Sequence, residues 1–331
     1  MKRKRTNPWV VLAWSLNIAG LLAILGVVTL YLGGQIVRAA QPPALALPTS
    51  GPNLIATAPE SVLVAPTARP RLLPSVTPNP NSTPLEPYVS PTAFFLTSGR
   101  EATIIGFSVQ ARPIEVYTFG QGEKQRMIVA GIHGGYEWNT IALADLLITY
   151  LDAHPEAVPS DITLYVLRNL NPDGDATGHK TKEGRSNANG VDLNRNFPTN
   201  WAAEWNRDGC WNDTPTTGGT GPGSEPETKA LMRFLAAHRI DALISYHSAA
   251  LGIFPGGEPW DADSKRLAQA IANVSDYPYP PIDTGCVYTG TLADYAVALG
   301  AAAVDMELTN HYDTDYEINL RVLKTFLNWI R

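Results

Sequence analysis

Residues 9–31, WVVLAWSLNIAGLLAILGVVTLY, carry no charge and only Ser15, Asn17 and Thr29 as clearly polar side chains. A helix of that length, at ~1.5 Å per residue, spans the ~30 Å hydrocarbon layer of a bilayer. The basic run Lys2-Arg3-Lys4-Arg5 ahead of it predicts a cytoplasmic start and an exported remainder. The competing reading is a cleaved signal peptide, with Val37-Arg38-Ala39 as a small-x-small site, although signal cores usually run only about 7–15 residues. Both readings export the body, and the first makes 1–40 a basic stub plus a single transmembrane helix.

Residues 41–93 show neither helical nor strand periodicity. They hold 13 of the 27 prolines, with Ser, Thr, Ala and Asn and few charges. Such a stretch buries too little apolar surface to offset its ordering entropy, and its prolines favour extended conformations. It reads as a disordered, semi-rigid linker that holds a domain off the membrane.

From 94 to 331 the pattern changes again. ATIIGFSV (102–109), PIEVYTF (113–119), RMIVAGI (126–132), ITLYVLR (162–168), DALISYH (241–247) and AAAVDMEL (301–308) are short β-branched or apolar runs bounded by turn residues, which predicts strands. Between them, 139–152, about 226–238, 262–274, 291–300 and the closing NLRVLKTFLNWI carry apolar residues at helical spacing. Ser224 is placed as an N-cap with Glu227 as its capping-box partner. Strands alternating with helices predict a three-layer α/β domain around a mixed, mostly parallel twisted sheet.

Charge and cysteine content narrow the function. The first 40 residues hold five bases and no acid, so the rest carries a net charge of −11 within an overall −6. An acidic body is a poor match for a phosphate backbone, so no nucleic-acid partner is expected. Two cysteines exclude a disulfide-rich miniprotein and a four-cysteine zinc site.

Several residues could carry chemistry. His133 follows the strand MIVAGI, where open α/β sheets place their sites, and Glu137 lies four residues on. Alone, this pair equally describes a solvated helix face. His247 ends another strand; two imidazoles and one carboxylate together make the ligand set of a catalytic zinc with one open position. Glu307 closes the apolar strand AAAVDMEL, two residues after Asp305 on the same face, and reads either as a proton acceptor beside a metal or as a salt-bridged structural acid. The segment from Gly184 to Phe197, GRSNANGVDLNRNF, combines Arg185, Asp192, Asn194 and Arg195 with buried-type Val191, Leu193 and Phe197. Two guanidiniums and an amide suit a carboxylate ligand and a developing oxyanion.

Taken together, NPDG (171–174), R-x-N-x-x-G-V-D-L-N-R-N-F (185–197), SEPET (224–228), the strand-end YHS (246–248) and the late MEL (306–308) resemble, in order, the zinc carboxypeptidases of the A/B type and their bacterial relatives that trim murein peptides. The resemblance spans about 100–331. It implies one Zn2+ held by His133, Glu137 and His247, with Asp192 orienting an imidazole. It implies Arg185 as the group polarising the scissile carbonyl, Asn194 and Arg195 as the grip on a free terminal carboxylate, and Glu307 as the catalytic glutamate. Tyr288 is the nearest candidate for the family's active-site tyrosine. Leu292 and Ala293 lie near the expected side-chain pocket and imply no charged specificity residue there. The family's His-x-x-Glu is here His-x-x-x-Glu; Gly134-Gly135 can absorb the extra residue, keeping Glu137 as ligand with Tyr136 packed behind it. Cys210 and Cys286 fall in loop-like segments of an exported domain, and Cys210 lies near a disulfide cysteine of the resembling enzymes, although 286 is not its partner there.

The expected function is that of a membrane-tethered, extracytoplasmic zinc metallocarboxypeptidase cleaving a terminal amide bond next to a free carboxylate. A murein peptide amidase of the same family is the alternative. A carboxypeptidase-like domain that only binds peptide ends or cell-wall stems is a rival from another class, and a deacylase on small N-acyl amino acids a further one.

Overall fold

The computed structural model describes residues 94–95 and 101–331. The apolar run 9–31 and the proline-rich 41–93 lie outside the described residues. Among the described residues no helix is long and apolar enough to cross a membrane.

Among the described residues eight strands form one sheet: β1 (Phe94–Phe95), β2 (Glu101–Phe107), β3 (Pro113–Gly120), β4 (Lys124–Val129), β5 (Ile162–Leu167), β6 (Ile240–Ser248), β7 (Ile253–Pro255) and β8 (Ala302–Leu308). Their order is β1-β2-β3-β5-β4-β6-β8-β7. The four central strands β5, β4, β6 and β8 are parallel, while β1, β2 and β3 on one side and β7 on the other pair antiparallel. The expected mixed sheet is therefore present, but "mostly parallel" holds only for its centre. Only β2 and β3 are neighbours joined by a short described turn, residues 108–112, and antiparallel pairing is what such a turn allows.

The central strands are apolar on both faces because helices cover both. On one face α1 (Trp138–Ala153), α4 (Ala262–Ala272) and α6 (Tyr316–Asn328) pack Leu143, Leu147, Leu267, Ile271, Val322 and Phe326 against Ile128, Ile244, Val304 and Met306. On the other, α3 (Pro226–Ala237) and α5 (Leu292–Ala298) pack Leu231, Phe234, Leu292 and Ala296 against Met127, Val129, Leu243 and Ala303. A short helix, α2 (Pro172–Asp175), is the NPDG segment, capped by Asn171, whose Oδ1 accepts from Gly174 N at 2.9 Å.

Local departures from the sequence reading have physical reasons. β4 ends three residues early, because Gly131 adopts φ +65° and turns the chain toward His133. The α3 capping box does not form. The N-cap is Glu225; Ser224 Oγ donates to its carboxylate at 2.6 Å, and Glu227 is buried, accepting from Val109 N at 3.0 Å and Asn187 Nδ2 at 3.1 Å.

Candidate active site

Strands β4, β6 and β8 are neighbours and parallel, so their C-terminal ends open on one edge. His133 follows β4, His247 lies near the end of β6, and Glu307 lies near the end of β8. His247 and Glu307 are register partners, as are Ser245 and Asp305. Alternation along β8 sends Ala302, Val304, Met306 and Leu308 into one core and leaves Asp305 and Glu307 on the opposite face, toward the cleft.

His133 and Glu137 are joined by the 3₁₀ turn Gly134–Glu137, tighter than the α-helix their spacing suggests; α1 starts only at Trp138. Gly134 holds φ +44°, and a Cβ there would stand 2.8 Å from Gly184 O and 2.7 Å from Asp175 N. Only glycine fits both the backbone angle and the contact. The extra residue is thus absorbed, and His133 Nδ1 lies 2.8 Å from Glu137 Oε1. Tyr136 does not sit behind the carboxylate. It lines the cleft, its ring 4.8 Å from that of His311 and 5.6 Å from that of Trp211.

His133 Nδ1 and His247 Nδ1 approach to 3.3 Å, and His247 Nδ1 lies 3.3 Å from Glu137 Oε2, an atom with no hydrogen bond of its own. Four-coordinate zinc with ligands at ~2.0–2.1 Å has donors about 3.3 Å apart. Three buried donors of the right kind therefore converge at the spacing a zinc ion needs. The outer nitrogens are also held: His133 Nε2 meets Asp192 Oδ1 at 3.0 Å, and His247 Nε2 meets Ser245 Oγ at 3.0 Å. A proton kept on each Nε2 leaves both Nδ1 lone pairs for a metal.

Electrostatics follow from this crowding. Burial opposes ionisation of Glu137, but the His133 and His247 imidazoles outweigh it and hold the carboxyl well below its usual range. Burial likewise opposes charge on His247, yet Asp305 and Glu137 push it up to about 10 in the metal-free site. Asp192 stays low despite burial because Arg185 and His133 face it. Glu307 goes the other way: burial, then the Glu137 charge, pushes it up to about 8.

Arg185 ends the 3₁₀ turn Lys182–Arg185, tied to α2 by Asn171 Nδ2 donating to Arg185 O at 3.3 Å. Its Nε donates to Asp192 Oδ2 at 3.0 Å, Nη1 reaches Glu137 Oε1 at 3.4 Å, and the guanidinium lies 4.8 Å from the Trp211 ring. Asn194 and Arg195 sit on the 3₁₀ turn Leu193–Arg195, whose start is capped by Asp192 accepting from Asn194 N at 3.0 Å. Asn194 Oδ1 accepts from Leu292 N at 2.8 Å, which leaves Nδ2 near His247 and Asp305 at 3.4 and 3.3 Å. Arg195 is buried, its Nε has no partner, and Tyr288 lies 5.1 Å from its guanidinium carbon. Cys210 and Cys286 are disulfide-bonded, with Cα atoms 4.7 Å apart, and so join the loop carrying Trp211 to the loop carrying Tyr288.

All nine residues singled out in the sequence are brought together; His133, Glu137, His247, Arg185, Asn194, Arg195, Glu307 and Tyr288 line one cleft of about 1040 Å³, and Asp192 braces it from within the protein. Four further lining residues were not foreseen: Trp211, His311, Asp294 and Asp305 as a cleft group. The expected uncharged pocket is corrected as well. Leu292 is packed into the core, whereas Ala293 lines the cleft as expected, but Asp294 and Asp305 line it too and make it acidic.

The three-layer α/β domain thus carries a His/Glu/His donor set that fits a zinc ion, with the Glu307 carboxylate and a buried guanidinium whose Nε has no partner in the same cleft. The chain belongs to the zinc carboxypeptidase family, Peptidase_M14, which it matches over residues 100–320. It is 38% identical over 129 residues to murein peptide amidase A of Escherichia coli (strain K12), covering 37% of this chain and 48% of that protein. It is 29% identical over 231 residues to mast cell carboxypeptidase A of Rattus norvegicus, covering 59% and 55%. The chain thus spans about half the length of these curated relatives. Among solved structures, the murein-tripeptide amidase of Escherichia coli O157 shares the fold with a TM-score of 0.51 at 24% identity, covering 70% of this chain and 92% of that one. Thrombin activatable fibrinolysis inhibitor does so with a TM-score of 0.53 at 21% identity, covering 68% of each.

Proposed function

We propose that this protein is a zinc-dependent exopeptidase of the extracytoplasmic space, tethered by residues 9–31 through the 41–93 linker. It cleaves the amide bond that joins a residue bearing a free carboxylate to a peptide, with cell-wall peptides as the natural substrate. The observation that carries this reading is Arg195. The Arg195 guanidinium lines the same cleft as His133, Glu137, His247 and Glu307; its Nη1 donates to Asn194 O at 2.8 Å, but its Nε is buried without a partner, which leaves donor capacity for a ligand carboxylate. The likeness to murein peptide amidase A supports the cell-wall substrate; the likeness to mast cell carboxypeptidase A keeps ordinary peptides as the second reading.

Zinc, held by His133, Glu137 and His247, supplies Lewis acidity and lowers the pKa of water. The chain's own residues do the rest. Asn194 Nδ2 and the Arg195 guanidinium hold the terminal carboxylate, which fixes the scissile carbonyl in the cleft. Arg185, kept charged by Asp192 and Glu137 in spite of burial, faces the oxygen on which negative charge develops. Glu307 takes a proton from the attacking water and returns it to the departing amine, a role suited to a carboxyl with raised proton affinity.

The test is mass spectrometry of products from a free-acid peptide library and from isolated peptidoglycan, with and without chelator. Chelator-sensitive release of terminal residues is expected. Absence of any cleavage by zinc-loaded protein on both substrates would sink the enzyme reading in favour of a binding domain.

A further inference from the structure

Arg185 and Arg195 are both buried in the wall of the cleft, yet they are held in different ways. Arg185 is oriented by carboxylates: its Nε donates to Asp192 and its Nη1 reaches Glu137. Arg195 has no such partner among the described residues: its Nε is unpaired, and Nη1 donates to Asn194 O at 2.8 Å. Two aromatic rings stand where an acid would. The guanidinium carbon lies 5.1 Å from the centre of the Tyr288 ring and 5.4 Å from that of Trp205. An aromatic face attracts a guanidinium through its quadrupole and, unlike a carboxylate, leaves the N–H groups along the edge unused.

Tyr288 lines the cleft, whereas Trp205 does not and so lies out of a substrate's reach. Trp205 has its own support. The Arg207 guanidinium carbon stands 3.6 Å from the centre of its ring, and Arg207 is fixed in turn by Glu204 at 3.1 Å and by Thr216 O. The next residue, Thr217, bridges to Val191, and its carbonyl accepts from Asp192 N at 3.0 Å. The ring is thereby tied to the segment that leads into Arg195. The two rings also belong to two segments that one covalent bond joins. Cys210, five residues after Trp205, is bonded to Cys286, two residues before Tyr288. The two backbones meet closely there, since a Cβ on Gly209, at φ +70°, would stand 1.9 Å from Thr284 O.

What this arrangement prevents is a competing contact. Asp192 and Asp305 both act on the Arg195 charge, and Asp305 Oδ1 is buried with no hydrogen-bond partner. A guanidinium released from its rings would turn its edge to such a carboxylate and form a buried ion pair, with no free fork left for a ligand. We propose that Trp205, latched by the Cys210–Cys286 bond, is a positioning residue that holds the Arg195 guanidinium by its face and so keeps its edge open to a substrate carboxylate. This rests on the exopeptidase reading, in which Arg195 grips that carboxylate. Trp205 itself touches neither the substrate nor the reacting atoms; it acts through Arg195 alone.

The experiment uses the zinc-loaded full chain and N-acetylated dipeptides, each as free acid and as C-terminal amide. It compares kcat/KM in wild type, Trp205→Leu, Trp205→Phe, Trp205→Leu/Asp305→Asn and Cys210→Ser/Cys286→Ser. Calorimetric binding of the same ligands to Glu307→Gln, with and without Trp205→Leu, is the second readout. Trp205→Leu should cut the preference for the free acid about 10-fold, the scale of a desolvated cation–aromatic contact, with amide rates and zinc content unchanged. Trp205→Phe keeps a ring and should stay within about 3-fold of wild type. Removing the competing acceptor in Trp205→Leu/Asp305→Asn should recover at least about 3-fold, a rescue that a merely structural defect would not show. The double serine variant should lose preference in the same direction, and it decides the matter if Trp205→Leu does not fold. An unchanged acid-to-amide ratio, or an equal loss on both substrates, overturns the clamp while leaving the carboxylate grip standing. A wild-type ratio near one overturns the grip itself, and the clamp with it. Binding that prefers the free acid through Trp205, with no hydrolysis of any ligand, upholds the clamp and overturns the enzyme reading instead.

Discussion

Replacing Asp192 by Asn tests the site at its most connected point. Asp192 is 1% exposed and serves three donors: Arg185 Nε, Asn194 N and His133 Nε2, each at 3.0 Å. Asparagine is nearly the same shape but offers one acceptor oxygen. Its amide nitrogen must therefore face either the Arg185 guanidinium or the protonated Nε2 of His133, donor against donor. Arg185 would retain only the 3.4 Å contact with Glu137, and breaking one side of a buried ion pair costs about 3–5 kcal/mol. At roughly 2–4 °C per kcal/mol for a domain of this size, the metal-free melting temperature should fall by about 10 °C. The His133 tautomer loses its support at the same time, so zinc affinity should drop about 10–100-fold. Thermal unfolding in chelator and zinc competition against a chromophoric chelator measure the two effects separately. Asn at 192 with a melting temperature within about 2 °C of wild type and unaltered zinc affinity would refute the reasoning.

Other expectations follow from single contacts. Amidating a substrate's C-terminus should cost about 2–4 kcal/mol of transition-state binding, read as kcat/KM, because the buried donors of Asn194 and Arg195 lose their acceptor; equal rates on free-acid and amidated peptides would contradict it. Glu137→Gln should lose most zinc and nearly all activity while Tyr136→Phe keeps its metal, which elemental analysis of the two purified variants decides. Zinc binding near pH 7 should release protons, since His247 holds its own up to about 10 and Glu307 up to about 8 in the metal-free site. Affinity should therefore rise with pH through this range. Calorimetry in buffers of different ionisation heat should find fewer protons released by Glu307→Gln than by wild type, and equal numbers would show that Glu307 is already ionised. Removing the Cys210–Cys286 bond by a double serine substitution should cost about 2–4 kcal/mol in a denaturant melt, the bond closing a separation of 76 residues; no change in midpoint would deny it a structural role.

The strands and helices that position the site were legible because their burial is one-sided or complete. AAAVDMEL and DALISYH could hardly be anything but central strands, and their last polar residues had to emerge at an edge. The grip on the carboxylate was legible for a different reason: GVDLNRNF mixes core residues with guanidinium and amide groups, a combination a solvated loop does not need. What could not be read was the lining of the cleft. Leu292 and Ala293 sit near the pocket in sequence, but helix α5 packs Leu292 into the core and presents Asp294 to the cleft alongside Ala293. Alternation in the sequence already put Asp305 on the face of Glu307, but not its place in the cleft wall with Asp294. Trp211 and His311 belong to loops, whose course is set by contacts distant in sequence, such as the disulfide at Cys210 and the 3.0 Å contact between Ser248 Oγ and His311 Nδ1.

The pairing of His247 with Glu307 in the parallel register of β6 and β8 sets how this protein can change. The spacing between a metal ligand and the proton acceptor is that of adjacent strands, about 4.8 Å, and backbone hydrogen bonds on both sides maintain it. Loop insertions cannot alter it without breaking the ladder. Chain-length variation around the cleft is thereby uncoupled from the reaction centre, as the additional residue between His133 and Glu137 already illustrates. Substrate choice can drift by lengthening or recolouring the loops at 198–224 and 278–290, while the hydrolytic geometry is inherited intact with the sheet.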